Sequence, residues 1–328
     1  MALLGPTALG ASINLIISFL TNRTHCTNIA GNRSDYTFIT CGVPQGTVIG
    51  PRLFVILING TKCTFVSNYK FVDDKTIALS YKGNASTLLQ EALNIEERET
   101  NNDKMIINGS KCHSITFNFS TNNVPPDNLM IQGNVIQPCD VIKLLGVYIT
   151  KDLKWSTNTS EICTKVNKKF FILSKLKQFG FQREELVHAW ITNIRPLTEY
   201  AAPLWHSGLT QSDIKALEDL QKKAIGIIIG TKYIHNRRYY KINKSAVPYE
   251  EALSKLGLTP LHKRREILTS KFAVQSLNNK LHKNMFQEKE ENSIALRKQD
   301  KVAGIICKTD RHKNSAIPYM AKIVNEQM

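Results

Sequence analysis

The sequence predicts an α+β region over residues 1–150, an antiparallel sheet with helices, followed by an all-helical and strongly basic region. Two observations carry that division. Short alternating apolar runs dominate the first part, whereas from Trp155 onward apolar residues recur every three or four positions, and these are the periods of strand and helix. The charge changes at the same place: residues 1–150 hold 11 Lys and Arg against 10 Asp and Glu, while residues 151–328 hold 32 against 17. With 42 % hydrophobic residues among 328, the chain can bury a real core, which excludes a disordered chain and a short disulfide-stapled scaffold.

In chain order, the uncharged residues 1–20 could pass for a signal peptide or an anchor, but Gly5, Pro6 and Gly10 break the first half and no basic stretch precedes it, so an apolar core helix over Ile13 to Leu20 is expected. Residues 21–41 alternate around Gly31-Asn32 and read as a hairpin. A turn over Gly42 to Gly46 leads into an apolar run from Val48 to Ile58, too long for one ordinary strand and therefore read as a buried helix despite Pro51. Phe65 to Val72 and Thr76 to Tyr81 read as strands joined by the acidic turn Asp73-Asp74-Lys75. Ser86 to Thr100 has helical spacing, and Met105 to Asn108 with Ser114 to Phe119 reads as another strand pair. Ile142 to Ile149, around Gly146, is a further one.

The helical part opens with a stripe of Ile162, Val166, Phe170, Leu173 and Leu176, with Lys165, Lys168, Lys169, Lys175 and Lys177 largely off it and Gly180 as its stop. A second helix runs from Glu184 to Pro196. A third runs from Thr210 to Gly230 with Leu217, Leu220, Ala224 and Ile227 inward. A linker over Thr231 to Pro248 follows, then a helix opened by Pro260 with Ile267, Leu268, Phe272 and Leu277 as its core face. Beyond Lys283 the composition turns polar, and loose order is expected there.

A basic half suits a polyanion, whereas solubilising lysines on exposed helix faces, the plainer alternative, would need no such asymmetry. Nucleic acid fits best, because lysines along successive helices can track phosphates and release their counterions, with an anionic membrane surface as the runner-up. The seven cysteines, Cys26, Cys41, Cys63, Cys112, Cys139, Cys163 and Cys307, include no C-x-x-C pair, so a zinc site is not indicated and reduced thiols in an intracellular protein are expected. Asn-x-Ser/Thr triplets at Asn22, Asn32, Asn84 and Asn118 would suit a secreted or membrane glycoprotein, the remote alternative, but an Asn- and Thr-rich chain produces such triplets by chance.

Two motifs carry chemistry. Gly42-Val43-Pro44-Gln45-Gly46 combines glycine freedom, a stiff proline and an amide that can donate and accept, which suits a nucleotide or a base edge as well as a tight structural turn. Phe71-Val72-Asp73-Asp74 places two like charges side by side. A solvated loop would tolerate them, and a divalent cation would offset their repulsion.

In this order, and followed by basic helices, these motifs resemble the reverse transcriptases of non-LTR, jockey-like retrotransposons. The resemblance starts at SFLTNR (Ser18 to Arg23), includes the GVPQG…GP…LF box (Gly42 to Phe54) and the FVDD box, and continues through KLLGVYITKDLKW (Lys143 to Trp155), IRPLTEYAAPLWH (Ile194 to His206), LEDLQKKAIGIIIG (Leu217 to Gly230) and NSAIPY (Asn314 to Tyr319). It implies a partial polymerase palm over 1–150, a helical thumb over 151–230, and a basic helical C-terminal region with a polar tail over 231–328. It also implies two-metal nucleotidyl transfer with an RNA template, a DNA primer and deoxynucleoside triphosphates, in a nuclear or cytoplasmic setting and without a membrane.

Residue by residue, the resemblance puts magnesium, or manganese in its place, on Asp73 with Asp74 in support. Gly42, Pro44, Gln45 and Gly46 would frame the incoming nucleotide and the templating base. Lys111, in an N-x-x-K element, would protonate the departing pyrophosphate, a role that stands beside that of an ordinary surface lysine. Leu145 and Gly146 would grip the primer end, and Lys165, Lys168, Lys169, Lys175 and Lys177 would contact nucleic acid. Thr47, Gly60 and Val72 depart from the usual Ser, Asp and Ala. A further metal-binding aspartate is expected upstream of Gly42, yet the only acid there is Asp35, in the hairpin. The expectation is an N-terminally truncated copy that does not polymerise on its own and keeps electrostatic affinity for nucleic acid.

Overall fold

The computed structural model describes residues 6–40, 42–44, 46–59, 65–81, 86–119, 128–229, 247–279, 282, 285–286 and 302–327. The chain forms two compact units, residues 1–114 with 125–138, and residues 115–124 with 139–328. The division falls at residue 139 where the change of period suggested 150, so the hairpin over 141–150 groups with the helices.

The first unit opens with α1 (Pro6–Leu20). The helix runs through Gly10, contrary to the expected break: Pro6 sits in the first turn, where its missing N–H costs nothing, and one interior glycine costs only about 1 kcal/mol. The expected hairpin is present as two nested two-residue pairs, β1 (Thr24–His25) with β4 (Thr37–Phe38) and β2 (Asn28–Ile29) with β3 (Asn32–Arg33). Its turn is Ala30-Gly31, both at positive φ as a type I′ turn requires, rather than Gly31-Asn32. Next comes α2 (Gly50–Ile58), with Pro51 in its first turn. Neither helix is buried as expected: Leu15 is 72 % and Ile56 69 % exposed. The unit's core instead gathers around other elements, and these two apolar runs have no packed layer over them among the described residues.

That core is built from β5 (Ser67–Phe71), β6 (Asp74–Ala78), α3 (Ser86–Asn102), β7 (His113–Ser114) and the hairpin β8 (Leu129–Ile131) with β9 (Asn134–Pro138), where β7 pairs parallel to β9. Ile77, Leu89, Leu93, Ile107, Cys112, Leu129, Ile131 and Ile136 pack in one cluster. Met105 to Asn108 is irregular and not a strand. A 3₁₀ turn over Gly109–Lys111 follows it, and Ile107 alone of its apolar residues joins the core.

The second unit begins with the hairpin β10 (Val141–Leu144) and β11 (Val147–Thr150). Then come α4 (Ser156–Gln178), α5 (Arg183–Ala189), a π-helical turn over Trp190–Ile194 and a 3₁₀ turn over Arg195–Thr198. The widened turn lies just ahead of Pro196, which has no N–H to continue the α-helical ladder. After the short α6 (Ala202–Trp205), α7 (Gln211–Ile229) packs along α4. Ile162, Val166, Phe170 and Leu173 join Leu217, Leu220 and Ala224 in one core with the fully buried Trp190 and Trp205. Phe170 stacks on Trp190 at 6.3 Å. Ile225 and Ile228 lie inward, while Ile227 is only partly buried.

The expected linker falls mostly outside the described residues. Beyond it lie α8 (Tyr249–Leu256) and α9 (Leu261–Asn278). The buried residues of α9 are Leu261, Arg265, Thr269, Ala273 and Ser276; of the core face expected, Phe272 and Leu277 pack partly buried beside Ala273, whereas Ile267 is exposed. A buried row at steps of four and three residues that contains Arg, Thr and Ser gives little apolar signal. The end of the tail is ordered: α10 (Asp310–Lys313) and α11 (Ala316–Gln327) return the chain, and Met320, Ala321 and Val324 bury against Ala273. Among the described residues no helix is long and apolar enough to cross a membrane.

Candidate functional site

In the first unit, the turn before α2 is held by glycine conformations and by side chains that bond its backbone. Gly42 and Gly46 have φ of +78° and +76°, values that favour glycine. Arg23 Nη2 donates to the Gly42 carbonyl at 2.6 Å. The Thr47 hydroxyl donates to the Pro44 carbonyl at 2.9 Å and accepts from the Gly50 N–H at 3.2 Å, so it links the turn to one of the unpaired N–H groups at the start of α2. Serine could make both bonds, which explains why threonine serves here. Gly50 has no room for a side chain: a Cβ would lie 2.7 Å from the Pro44 carbonyl oxygen. Gln45, the amide-bearing residue of the box, lies outside the described residues.

Phe71 pairs with Asp74, so Val72 and Asp73 form the two-residue turn and Asp74 and Lys75 begin β6. The acidic turn expected at Asp73-Asp74-Lys75 is thus shifted by one residue. Val72 has φ +54°, a costly conformation for a β-branched residue, which a smaller side chain would relieve. Both aspartates are exposed. Lys70 and Lys75 face each other across the strands but point apart, Lys70 to the Ile58 carbonyl at the end of α2 and Lys75 to the buried carboxylate of Glu96 on α3. The acidic tip is therefore anchored on both sides.

The same core cluster supports Lys111. Ile77 of β6 and Cys112, next to Lys111, both belong to it. Gly109 is buried where a Cβ would lie 2.8 Å from Asn134 Nδ2 and 2.9 Å from the Ile131 carbonyl oxygen, so glycine seats the turn that presents the exposed Lys111. Asp73, Asp74, the Gly42–Gly46 turn and Lys111 share this unit. Among the described residues no cluster of three or more His, Cys, Asp or Glu side chains forms a metal site.

In the second unit, Leu145 and Gly146 form the β10–β11 turn with φ +46° and +87°. The Tyr200 hydroxyl donates to the Leu145 carbonyl at 2.7 Å, and a Cβ on Gly146 would come within 3.4 Å of the Tyr200 ring. Tyr200 thus clamps the tip of the hairpin. Residue reading missed it; the only signal was its place in the IRPLTEYAAPLWH block.

Lys143 and Lys165 both approach the Tyr148 ring, at 5.8 and 5.6 Å. Lys168, Lys169 and Lys175 are exposed on α4. Lys177 differs: its ammonium caps α7, donating to the carbonyls of Ile227 and Ile228.

A polar network not foreseen from sequence holds these helices. Glu218 of α7, although buried, accepts from the N–H groups of Leu261 (3.1 Å) and His262 (3.3 Å) at the start of α9 and from the Tyr249 hydroxyl. Burial and this carboxylate push the Tyr249 phenol well above its usual range. Glu199 joins Arg195 at 3.2 Å and Arg264 at 3.1 Å. Arg265 is fully buried with its guanidinium 5.6 Å over the Trp205 ring, and burial lowers its pKa to about 10. Burial, with Arg265 and His262 nearby, lowers His206 to about 4.

Residues 7–149 match the reverse transcriptase (RNA-dependent DNA polymerase) family. The chain is 24 % identical over 253 residues to a probable RNA-directed DNA polymerase from transposon X-element of Drosophila melanogaster, covering 72 % of this chain and 27 % of that protein. It is 28 % identical over 159 residues to the RNA-directed DNA polymerase from mobile element jockey of the same fly, covering 45 % and 17 %. The jockey polymerase of Drosophila funebris is 24 % identical over 241 residues, covering 68 % and 26 %. The chain therefore spans about a quarter or less of the length of these relatives. No solved structure matches it.

Proposed function

We propose that this chain, whose residues 7–149 are a reverse transcriptase domain of the jockey-like, non-LTR retrotransposon kind, holds an RNA template and DNA primer through its basic helical unit and offers Asp73 and Asp74 to a divalent ion, but does not extend the primer with its own 328 residues. The observation that carries the binding is the charge of residues 151–328, 32 basic against 17 acidic, with Lys168, Lys169 and Lys175 exposed along one helix. A polyanion gains from such a surface by releasing its counterions.

The two aspartates suit one magnesium or manganese ion, since magnesium takes oxygen ligands and typically uses one or two carboxylates with water and substrate phosphates. They do not suit two ions. The residues are consecutive, one in a turn and one on a strand, and a two-ion centre needs a carboxylate from a second element to fix both attacking and leaving oxygens. A bound ion would supply charge stabilisation to the phosphate oxygens. The chain's own parts are the glycine-framed turn Gly42–Gly46 with Gln45 for the nucleotide, Lys111 as the proton donor to pyrophosphate, and Leu145-Gly146 for the primer end. The setting proposed for this work is intracellular, nuclear or cytoplasmic.

The test is extension of a labelled DNA primer on an RNA template by the purified chain with magnesium. No extension above background is expected, while template–primer binding is retained. Extension that disappears in Asp73→Ala would overturn the proposal of inactivity, and failure to bind template–primer would overturn the proposed function itself.

A further inference from the structure

We propose that the solvent face of α4 is a ridge for unpaired nucleic acid, with exposed phenyl rings stacking on bases and the lysines between them holding phosphates. The inference rests on the nucleic-acid reading above and adds which form of nucleic acid the helix takes. Phe171 is 67 % and Phe179 78 % exposed, and Ile172 beside them is exposed as well. These side chains have not been crowded out of a full core. The core stripe of α4 is occupied by Ile162, Val166, Phe170 and Leu173 on the opposite side. At about 100° per residue, Lys168 and Lys175 fall around the helix between Phe171 and Phe179. The Lys175 ammonium lies 5.7 Å from the Phe171 ring. No Asp or Glu occurs between Glu161 and Glu184, so the face is cationic throughout.

Charge and shape select the occupant. An apolar protein groove would have to bury Lys168 and Lys175 together with the rings, at the cost of desolvating two charges. A membrane-surface helix keeps its lysines on the polar face, whereas here they interrupt the apolar strip. A duplex keeps its bases stacked on one another and leaves phenyl rings without partners. A single strand presents base faces and phosphates alternately, which is the pattern of this ridge. Phe171 and Phe179 are about 12 Å apart along the axis, the rise of roughly three stacked nucleotides.

The test uses the full chain and three probes: a single-stranded oligonucleotide of about 12 nucleotides, a duplex of the same length, and vesicles containing phosphatidylserine. Replacing both rings, in Phe171→Ala with Phe179→Leu, should weaken single-strand binding about tenfold or more and duplex binding by less than about twofold. Phe179→Tyr should restore most of the loss. Lys168→Ala with Lys175→Ala should weaken both nucleic acids and flatten their salt dependence. If the ring variants bind the single strand as well as the wild type does, or lose both nucleic acids equally, the ridge proposal is overturned while the nucleic-acid reading stands. If the chain binds vesicles and neither nucleic acid, both fall.

Discussion

Removing the Glu218 carboxylate should unfold the helical unit more readily than any change on its surface. Glu218→Ala would strip the acceptor from two first-turn N–H groups of α9, at 3.1 and 3.3 Å, and from the Tyr249 hydroxyl, all in a buried setting. Hydrogen bonds to a charged group contribute about 1.5–3 kcal/mol each, and buried donors left unpaired add their own desolvation cost. The same carboxylate is a counter-charge for the buried Arg265. Breaking one partner of such a buried arrangement costs about 3–5 kcal/mol, so about 4 kcal/mol is expected. Glu218→Gln keeps a carbonyl acceptor and loses the charge at the helix N-terminus, a loss of about 1–2 kcal/mol. Urea unfolding followed by tryptophan fluorescence reads this unit alone, because the three tryptophans, Trp155, Trp190 and Trp205, all lie in it. An alanine variant within about 1 kcal/mol of wild type, or a glutamine variant as damaged as the alanine one, would refute the reasoning.

Other outcomes follow from the same geometry. His206 is held near pKa 4, below the usual value for an imidazole, so the unfolded state takes up its proton first; stability should be full above about pH 6.5 and fall by on the order of 3 kcal/mol as pH drops toward 4. His206→Gln should flatten that profile in urea melts at stepped pH. Tyr200→Phe removes the bond to the Leu145 carbonyl and should loosen the β10–β11 tip by about 1 kcal/mol, seen as faster amide exchange at residues 145–147 with no change elsewhere in the unit. Thr47→Val should destabilise the start of α2 by about 1 kcal/mol while Thr47→Ser stays near wild type, measured by amide exchange at Gly50.

Element type was readable where periodicity or turn chemistry is strong. The stripe of α4 and the Leu145-Gly146 turn took the expected form, and the hairpin around Asp73 formed with its turn one residue earlier, because a 3.6 period or a two-residue turn needs no distant partner to specify it. Burial was less readable. The apolar runs of α1 and α2 suggested core positions, but sequence cannot tell how many layers will cover a run, and both stay exposed. The buried face of α9 was hidden for the opposite reason: Arg265 and Thr269 carry no hydrophobic signal, and Arg265 is buried over the Trp205 ring with the Glu218 and Glu199 charges nearby, partners that lie elsewhere in the sequence. The hairpin β8–β9 was missed although Gln132-Gly133 gives it a type I′ turn. At the candidate site, residue identities were legible from the two motifs. The tethers were not, since Glu96, Tyr200 and Ile227 act across 21, 55 and 50 positions of sequence.

The most direct measurement of the account is the salt dependence with which the full chain binds a template–primer. Four lysines of α4 remain to meet phosphates, the exposed Lys168, Lys169 and Lys175 and Lys165 beside the Tyr148 ring, whereas Lys177 caps α7. At about −0.9 per neutralised phosphate, log affinity against log salt should fall with a slope of about −3 to −4. Alanine at Lys168 and Lys175 together should reduce that slope by about 2, whereas Lys177→Ala should lower stability and leave the slope unchanged. A flat salt response, or no binding at low salt, would contradict the account.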